Sequence, residues 1–280
     1  MDTSEECRAL LARIADQPDE AIDLAGAALA LAALDRPRVG LERYRRHLDS
    51  LASDLAREVG AAGGATADVR ARLGALNRVM VELHGYEGDS ESYDDLQNAN
   101  LMRVIDRKKG LPVALGILYI HAARAQGWDM VGLAFPGHFV VRLEHAGERL
   151  IIDPFNKGGV REVAELRTLL KATAGADAEL EPHLYAPVSN RDILIRLQNN
   201  VKLRLLRLGQ VERAAAALDS ILAFAPGRAE LWHESGVIHA RLGNLRAAVA
   251  ALERALGLSA GKAERFQIAA LLQELRAKLN

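Results

Sequence analysis

The segment RLGQVERAAAAL at 207–218 returns as RLGNLRAAVAAL at 241–252, 34 residues later. Arg207, Leu208, Gly209, Ala216, Ala217 and Leu218 recur as Arg241, Leu242, Gly243, Ala250, Ala251 and Leu252. A period of this length accommodates two helices and their turns. A single such unit cannot bury its apolar face, so successive units must stack. The region from Arg191 onward is therefore expected to be an α-solenoid.

Within the second unit, Trp232, Gly236, Ala248 and Ala255 stand at the spacings of the tetratricopeptide pattern, and Pro226 closes the first unit as that pattern requires. Two repeats alone make a short array, and a terminal helix at 262–279 is expected to cap one end. The rest of the chain divides into a helical region, 1–85, and a mixed core, 86–187. The third part is the repeat module, 191–280.

Charge excludes some functions. Lys plus Arg number 36 against 37 Asp plus Glu, a net charge of −1, so there is no global nucleic-acid footprint. The distribution is uneven: residues 191–280 carry 14 Lys/Arg and 8 Asp/Glu, while Glu87, Asp89, Glu91, Asp94 and Asp95 form an acidic cluster. The simplest reading is intramolecular, with the basic C-terminal segment facing the acidic loop. The alternative is a polyanion site on Arg191, Arg196, Lys202, Arg204 and Arg207. Cys7 is the only cysteine, so no intrachain disulfide forms. The N-terminus lacks a secretory signal pattern, and no run is long and apolar enough to span a bilayer. These features predict a cytoplasmic soluble protein with no membrane partner.

The first 85 residues read as four helices. Thr3 or Ser4 caps the first, through about residue 15. Pro18 opens a second to Leu34, and Pro37 a third to Val59. In the third, Leu41, Tyr44, Leu48, Leu51 and Leu55 mark the buried face, and Arg45, Arg46 and His47 a solvated one. GAAGGA at 60–65 breaks the pattern. Thr66 then caps a fourth helix with Val69, Leu73, Leu76, Val79, Met80 and Leu83 on its apolar side. Gly85–Asn100 is expected to be an ordered acidic loop, and Leu101–Lys109 a short helix ended by Gly110.

The stretch from Gly110 to Gly159 carries the chemistry. Pro112 opens an apolar helix, whose buried side is Ala114, Leu115, Leu118, Ala122 and Ala125. Strands follow at Trp128–Ala134, Phe139–Leu143 and Arg149–Ile152, the last two joined by the hairpin link EHAGE. His138 precedes one strand and Asp153 follows the next, so the two can lie side by side. Asn156 is expected to close a turn with Gly158 and Gly159. Glu162–Leu170 is helical, and 172–190 is a linker. Thiol-dependent acyl transfer needs a Cys at the start of a buried helix, a His to take its proton, and an Asp or Asn to orient that His. The helix start, the His and the Asp are all present.

The run NANLMRVIDRKKGLPVALGILYIHAARAQGW, with GLAFPGHFVVRL and LIIDPFNKGG, resembles the bacterial transglutaminase-like proteins of the SirB group, which join this domain to C-terminal tetratricopeptide repeats. The resemblance covers roughly residues 70–280. It implies an α+β fold: a helix-rich N-terminal part, a degenerate transglutaminase-like (cysteine-protease-like) core with a small antiparallel sheet, and a C-terminal tetratricopeptide-type solenoid. In active members Gly-x-Cys begins the helix; here Gly110-Leu111-Pro112 stands there, and Pro112 occupies the nucleophile position. Asn98, Asn100 and Arg103 match the pattern ahead of the helix and can border the same cleft.

No catalytic residue is assigned with the thiol gone. Three roles stay open for His138 and Asp153: a structural hydrogen-bonded pair, a retained pocket for a peptide, amide or small ligand, and a reworked hydrolytic site. No GxxxxGK[ST], GxGxxG or HExxH occurs, and no cofactor or metal is assigned. The expectation is a non-catalytic scaffold or regulatory protein that binds a peptide or protein partner through its repeat groove and a remnant pocket. The alternative is an amide- or peptide-bond hydrolase, or an acyltransferase, using His138 and Asp153 without Cys.

Overall fold

The computed structural model describes residues 3–61 and 67–279. Its contacts define two compact units, Pro18–Leu197 and Glu5–Gln17 with residues 198 onward. Helix α1 (Thr3–Ile14) belongs to the second unit, with Cys7, Leu11 and Ile14 buried.

The larger unit begins with α2 (Leu24–Leu34), α3 (Glu42–Ala61) and α4 (Val69–Asn77), which passes into a π-helical turn, Arg78–Leu83. Two-residue strands β1 (Glu87–Gly88) and β2 (Lys109–Gly110) pair in parallel around α5 (Leu101–Arg107). Next come α6 (Pro112–Arg124) and an antiparallel meander of β3 (Asp129–Gly132), β4 (Val141–His145), β5 (Glu148–Asp153) and β6 (Gly159–Val160). Helix α7 (Val163–Ala174) follows the sheet.

Helix α6 is the axis of this unit. Pro112 takes its first position, where the missing N–H costs no intrahelical bond. Every residue from Pro112 to Ile120 is buried, as are Ala122 and Ala123. A helix apolar all round lies inside a core, so burial is not confined to the one side read from the sequence. Ala125, expected on that side, is exposed, because the helix ends at Arg124. α6 packs on α3, on β3 and on the 3-10 turn Pro154–Asn156.

The β4–β5 hairpin turns at Ala146–Gly147, both at positive φ (52° and 83°), with His145 opposite Glu148. This is the backbone of a tight two-residue hairpin, in which Asn or Gly fits the first position better than Ala. Ala146→Asn is expected to raise unfolding stability by about 0.5–1 kcal/mol, read as a higher urea midpoint with unchanged m-value.

Several helix boundaries differ from the sequence expectation. α1 already includes Thr3 and Ser4, so neither caps it. Pro18 leads a 3-10 turn, and Asp23 caps α2 by accepting from Gly26 N at 3.0 Å. Pro37 sits inside a turn closed by Val39 N to Arg36 O, and α3 starts only at Glu42. Thr66 and most of GAAGGA lie outside the described residues; Asp68 caps α4. Leu83 is 60% exposed where the π-helical turn rotates it off the apolar face. Lys108, not Gly110, takes the left-handed position after α5 (φ 61°). A Cβ on Gly110 would instead meet Val104 at 2.9 Å.

The second unit contains the repeat. α8 (Asn190–Arg207) enters it from the larger unit, followed by α9 (Val211–Phe224), α10 (Ala229–Arg241), α11 (Leu245–Leu258) and α12 (Lys262–Leu279). Gly209 and Gly243 hold equivalent turns at φ 71° and 74°. Trp232 donates to Pro226 O at 2.8 Å, and Gly236 lies where a Cβ would strike Leu252 at 2.6 Å. Ala248, Leu252 and Ala255 of α11 pack on Ile268, Leu272 and Leu275 of α12, which covers that end.

The expected basic face on α8 does not exist as a surface patch. Lys202 and Arg204 are buried, and Lys202 bonds Glu234 at 2.5 Å. The acidic loop takes its cations from within its own unit: Asp89 pairs with Arg107, Glu87 with Lys109 and Lys157, and Glu91 with Lys109.

Candidate functional site

His138 lies on the segment between β3 and β4. Gly137 bends the chain at φ 71°, and a Cβ there would meet Thr173 of α7 at 2.5 Å. The next residue, Phe139, is fully buried: an added Cβ on Gly116 of α6 would meet its ring at 2.5 Å, and one on Gly132 of β3 at 2.6 Å. Phe135 and Val140 pack with Leu166 and Leu170 of α7. Arg196 closes the segment, donating to Phe135 O at 2.8 Å and to His138 O at 2.7 Å. Apolar anchors and backbone hydrogen bonds thus hold the imidazole from both sides.

Asp153 ends β5 and is completely buried. Its Oδ1 accepts from His138 Nε2 (2.9 Å), Phe155 N (3.1 Å) and Asn156 N (3.3 Å). Its Oδ2 accepts from Asn156 Nδ2 (2.7 Å) and from Arg161 Nε (3.1 Å) and Nη2 (2.9 Å). Burial pushes this carboxyl upward, but His138, by hydrogen bond and charge, then Asn156 and Arg161 outweigh it and hold the pKa down at about 2. Asp153 is therefore ionised and acceptor-only at neutral pH, so His138 Nε2 carries the hydrogen. Among the described residues Nδ1 has no hydrogen-bond partner, and it is not a buried orphan, so it reaches solvent. Asn156 thus serves Asp153, while Lys157 and Gly158 make the left-handed turn expected of Asn156 and the glycines.

Aromatic rings border the pair. Phe155 stands edge-on to His138 (centroids 6.0 Å, 87°) and Tyr93 edge-on to Phe155 (5.7 Å, 72°). Tyr93 comes from the acidic loop. That loop is tied down by buried Asp89, which accepts from Ser92 and Arg107, and by Asn98, which donates to Ser92 O and accepts from Arg107. Hydrogen bonds from Ser92, Arg107 and Asn98 overcome burial and hold Asp89 well below the usual carboxylate range.

The structure thus joins His138 to Asp153 directly. Asn98 braces the loop that brings Tyr93 to the rim. Asn100 caps α5 through Arg103 N and donates to Ala32 O, and Arg103 is exposed; neither bonds His138 or Asp153. Phe155, Asn156, Arg161 and Arg196 complete the site. Arg161 and Asn156 were within reach of sequence reasoning, as polar residues close after Asp153, whereas nothing local points from Arg196 to a segment 58 residues earlier. Pro112 is buried at the head of α6 beside buried Leu111, Val113 and Ala114, and the lone thiol, Cys7, is buried in the other unit. Among the described residues no group of three or more His, Cys, Asp or Glu is placed to hold a metal ion.

A family model for the transglutaminase-like superfamily matches residues 42–199, and one for the tetratricopeptide repeat matches residues 201–273. A UPF0162 protein of Xylella fastidiosa is 30% identical over 229 residues, covering 81% of this chain and 80% of that one. One of Vibrio cholerae is 32% identical over 214 residues, 76% and 77% of the two chains. Human F-box only protein 21 is 28% identical over 174 residues, 57% of this chain and 26% of its own length. Matches of this extent, together with a His–Asp pair at the expected strand positions and a two-helix repeat, place the chain in the UPF0162 family, with a transglutaminase-like domain followed by tetratricopeptide repeats.

Proposed function

We propose that this chain is a non-catalytic, cytoplasmic scaffold of the SirB group. In this reading the helical region 1–85 supports the core 86–187, and the module 191–280 captures a peptide or protein partner together with a remnant pocket beside His138. The observation that carries it is Pro112 at the head of a fully buried helix, with no thiol in the same unit. The thiolate that would start acyl transfer is missing, while every contact that orients the imidazole is retained. The binding half is supported by Leu203 and Val237, which are 48% and 45% exposed at equivalent positions of the two repeats, 34 residues apart.

A second reading, an amide- or peptide-bond hydrolase or acyltransferase working through His138 and Asp153, draws on the solvent-facing Nδ1. The two separate in one assay. Purified protein is incubated with a fluorescent primary amine and casein, beside His138→Ala. The scaffold reading expects no amine incorporation and no peptide release by either protein. Turnover by the wild type that disappears in His138→Ala overturns it. Val237→Glu tests the groove: the set of proteins retained in a pulldown should shrink, and an unchanged set counts against the groove.

A further inference from the structure

Outside the His138 site, three segments of the larger unit assemble a half-buried cluster. α3 supplies His47 and Asp54, the chain after the π-helical turn supplies His84 and Tyr86, and the residue after α5 supplies Lys108. His47 Nε2 lies 2.7 Å from Tyr86 Oη. Lys108 Nζ lies 3.3 Å from His47 Nε2, 3.4 Å from Tyr86 Oη and 4.7 Å from the Tyr86 ring centre. The His84 ring stands edge-on to His47 at 5.3 Å and bonds Asp54 at 2.7 Å. The solvated face expected at His47 is in fact this packed cluster; Arg45 and Arg46 remain exposed.

The backbone fixes where Lys108 points. It is left-handed, its N–H donates to Val104 O, and its carbonyl accepts from Glu87 N. Other lysines have carboxylate partners: Lys109 has Glu87 and Glu91, Lys157 has Glu87, Lys202 has Glu234 and Lys278 has Glu274. Among the described residues no carboxylate lies within 4.0 Å of Lys108 Nζ; its neighbours there are an imidazole and a phenol. A carboxylate favours the ammonium form of lysine, and a desolvated site with neutral acceptors favours the free amine.

We propose that Lys108 is a covalent modification site for activated acyl groups, with His47 as the acceptor of its proton. The co-reactant is an acyl thioester. The Lys108 amine attacks the thioester carbonyl, a C–N bond forms and the C–S bond breaks. The ammonium proton passes to His47 Nε2 and then to the departing thiolate. The groups facing Lys108 agree. Burial, then the charge of Lys108 and of His84, hold His47 down at about 4 against the pull of Asp54, so it is an open base at neutral pH. Burial lowers Lys108 itself, against the opposing charge of Asp106. Burial keeps Tyr86 protonated.

Lys109 is the internal control, one residue away, also partly exposed, but ion-paired. The full chain is incubated with acetyl-coenzyme A, and acetylation at each lysine is followed by Asp-N digestion and fragment-ion mass spectrometry across pH. Lys108 should react about tenfold faster than Lys109 at near-neutral pH, as expected for an amine whose ionisation midpoint lies about one pH unit lower. His47→Phe should bring Lys108 down to the Lys109 rate while leaving Lys109 and Lys157 unchanged. A Lys108 rate at or below that of Lys109 in the wild type overturns the proposal, as does a ratio that His47→Phe leaves intact. If His47→Phe fails to fold, the wild-type pH profile decides: a Lys108 midpoint not below that of Lys109 is fatal to it.

Discussion

Asp153→Ala should lower the free energy of unfolding by about 3–5 kcal/mol, the range for removing one partner of a buried ion pair. The expectation follows from what the carboxylate holds. Three backbone or amide N–H groups, an imidazole N–H and two guanidinium N–H groups converge on a side chain with no exposure. Removing it leaves Arg161 facing a hole and frees the His138 ring. Asp153→Asn keeps the volume but turns an NH2 toward one set of donors, and should still cost about 2 kcal/mol or more through unmade hydrogen bonds to charged groups. Urea denaturation measures both.

The same residue sets a pH signature. Its folded pKa, about 2, lies below the unfolded value. Its stabilising share is therefore fully present above the unfolded carboxylate pKa and is lost as pH falls through that value toward 2. That share is roughly 2–3 kcal/mol at neutral pH, about half of it gone near pH 3. The gap in stability between the wild type and Asp153→Asn should narrow by that amount on acidification. A gap that stays constant from neutral pH to about pH 3 would show that Asp153 is not held ionised by its donors.

How much of this site was legible in the sequence depended on the range of each interaction. The His138–Asp153 pairing could be read because strand alternation and a short hairpin link fix which residues stand side by side. The buried helix could be read because Pro112 marks its start and an apolar run follows. The cations were not legible. Arg196 clamps the His138 loop from α8, and Arg107 and Lys109 satisfy the acidic loop that had been matched with the C-terminal basic segment. Charge counts give totals, and only the fold assigns partners. Helix starts failed for a local reason. Proline is equally at home at the second position of a turn, as at Pro37, and in the first turn of a helix, as at Pro112. His47 failed because a polar residue on a helix face reads as solvated until the segment that covers it is known.

Phe139→Ala should destabilise the larger unit by about 3–5 kcal/mol, as for emptying a fully buried aromatic site. The specific claim concerns the two glycines that make room for the ring. A glycine inside a helix costs about 1 kcal/mol relative to alanine, so Gly116 in the middle of α6 needs a compensating gain. That gain is the Phe139 ring, packed where a Gly116 Cβ would be, with Gly132 on its other edge. Gly116→Ala alone should therefore destabilise by about 1–3 kcal/mol through overpacking, despite the better helix propensity of alanine. With the ring removed the conflict disappears, and Gly116→Ala in the Phe139→Ala background should become neutral or stabilising. A double-mutant cycle by urea denaturation should then give a coupling of about 1–3 kcal/mol. Additive effects would mean that the ring and Gly116 do not share that space. Because His138 immediately precedes Phe139, its Nε2–H should also lose protection from exchange in Phe139→Ala, to a degree that tracks the lost packing. A signal that persists unchanged would show that Asp153 and Arg196 alone fix the imidazole.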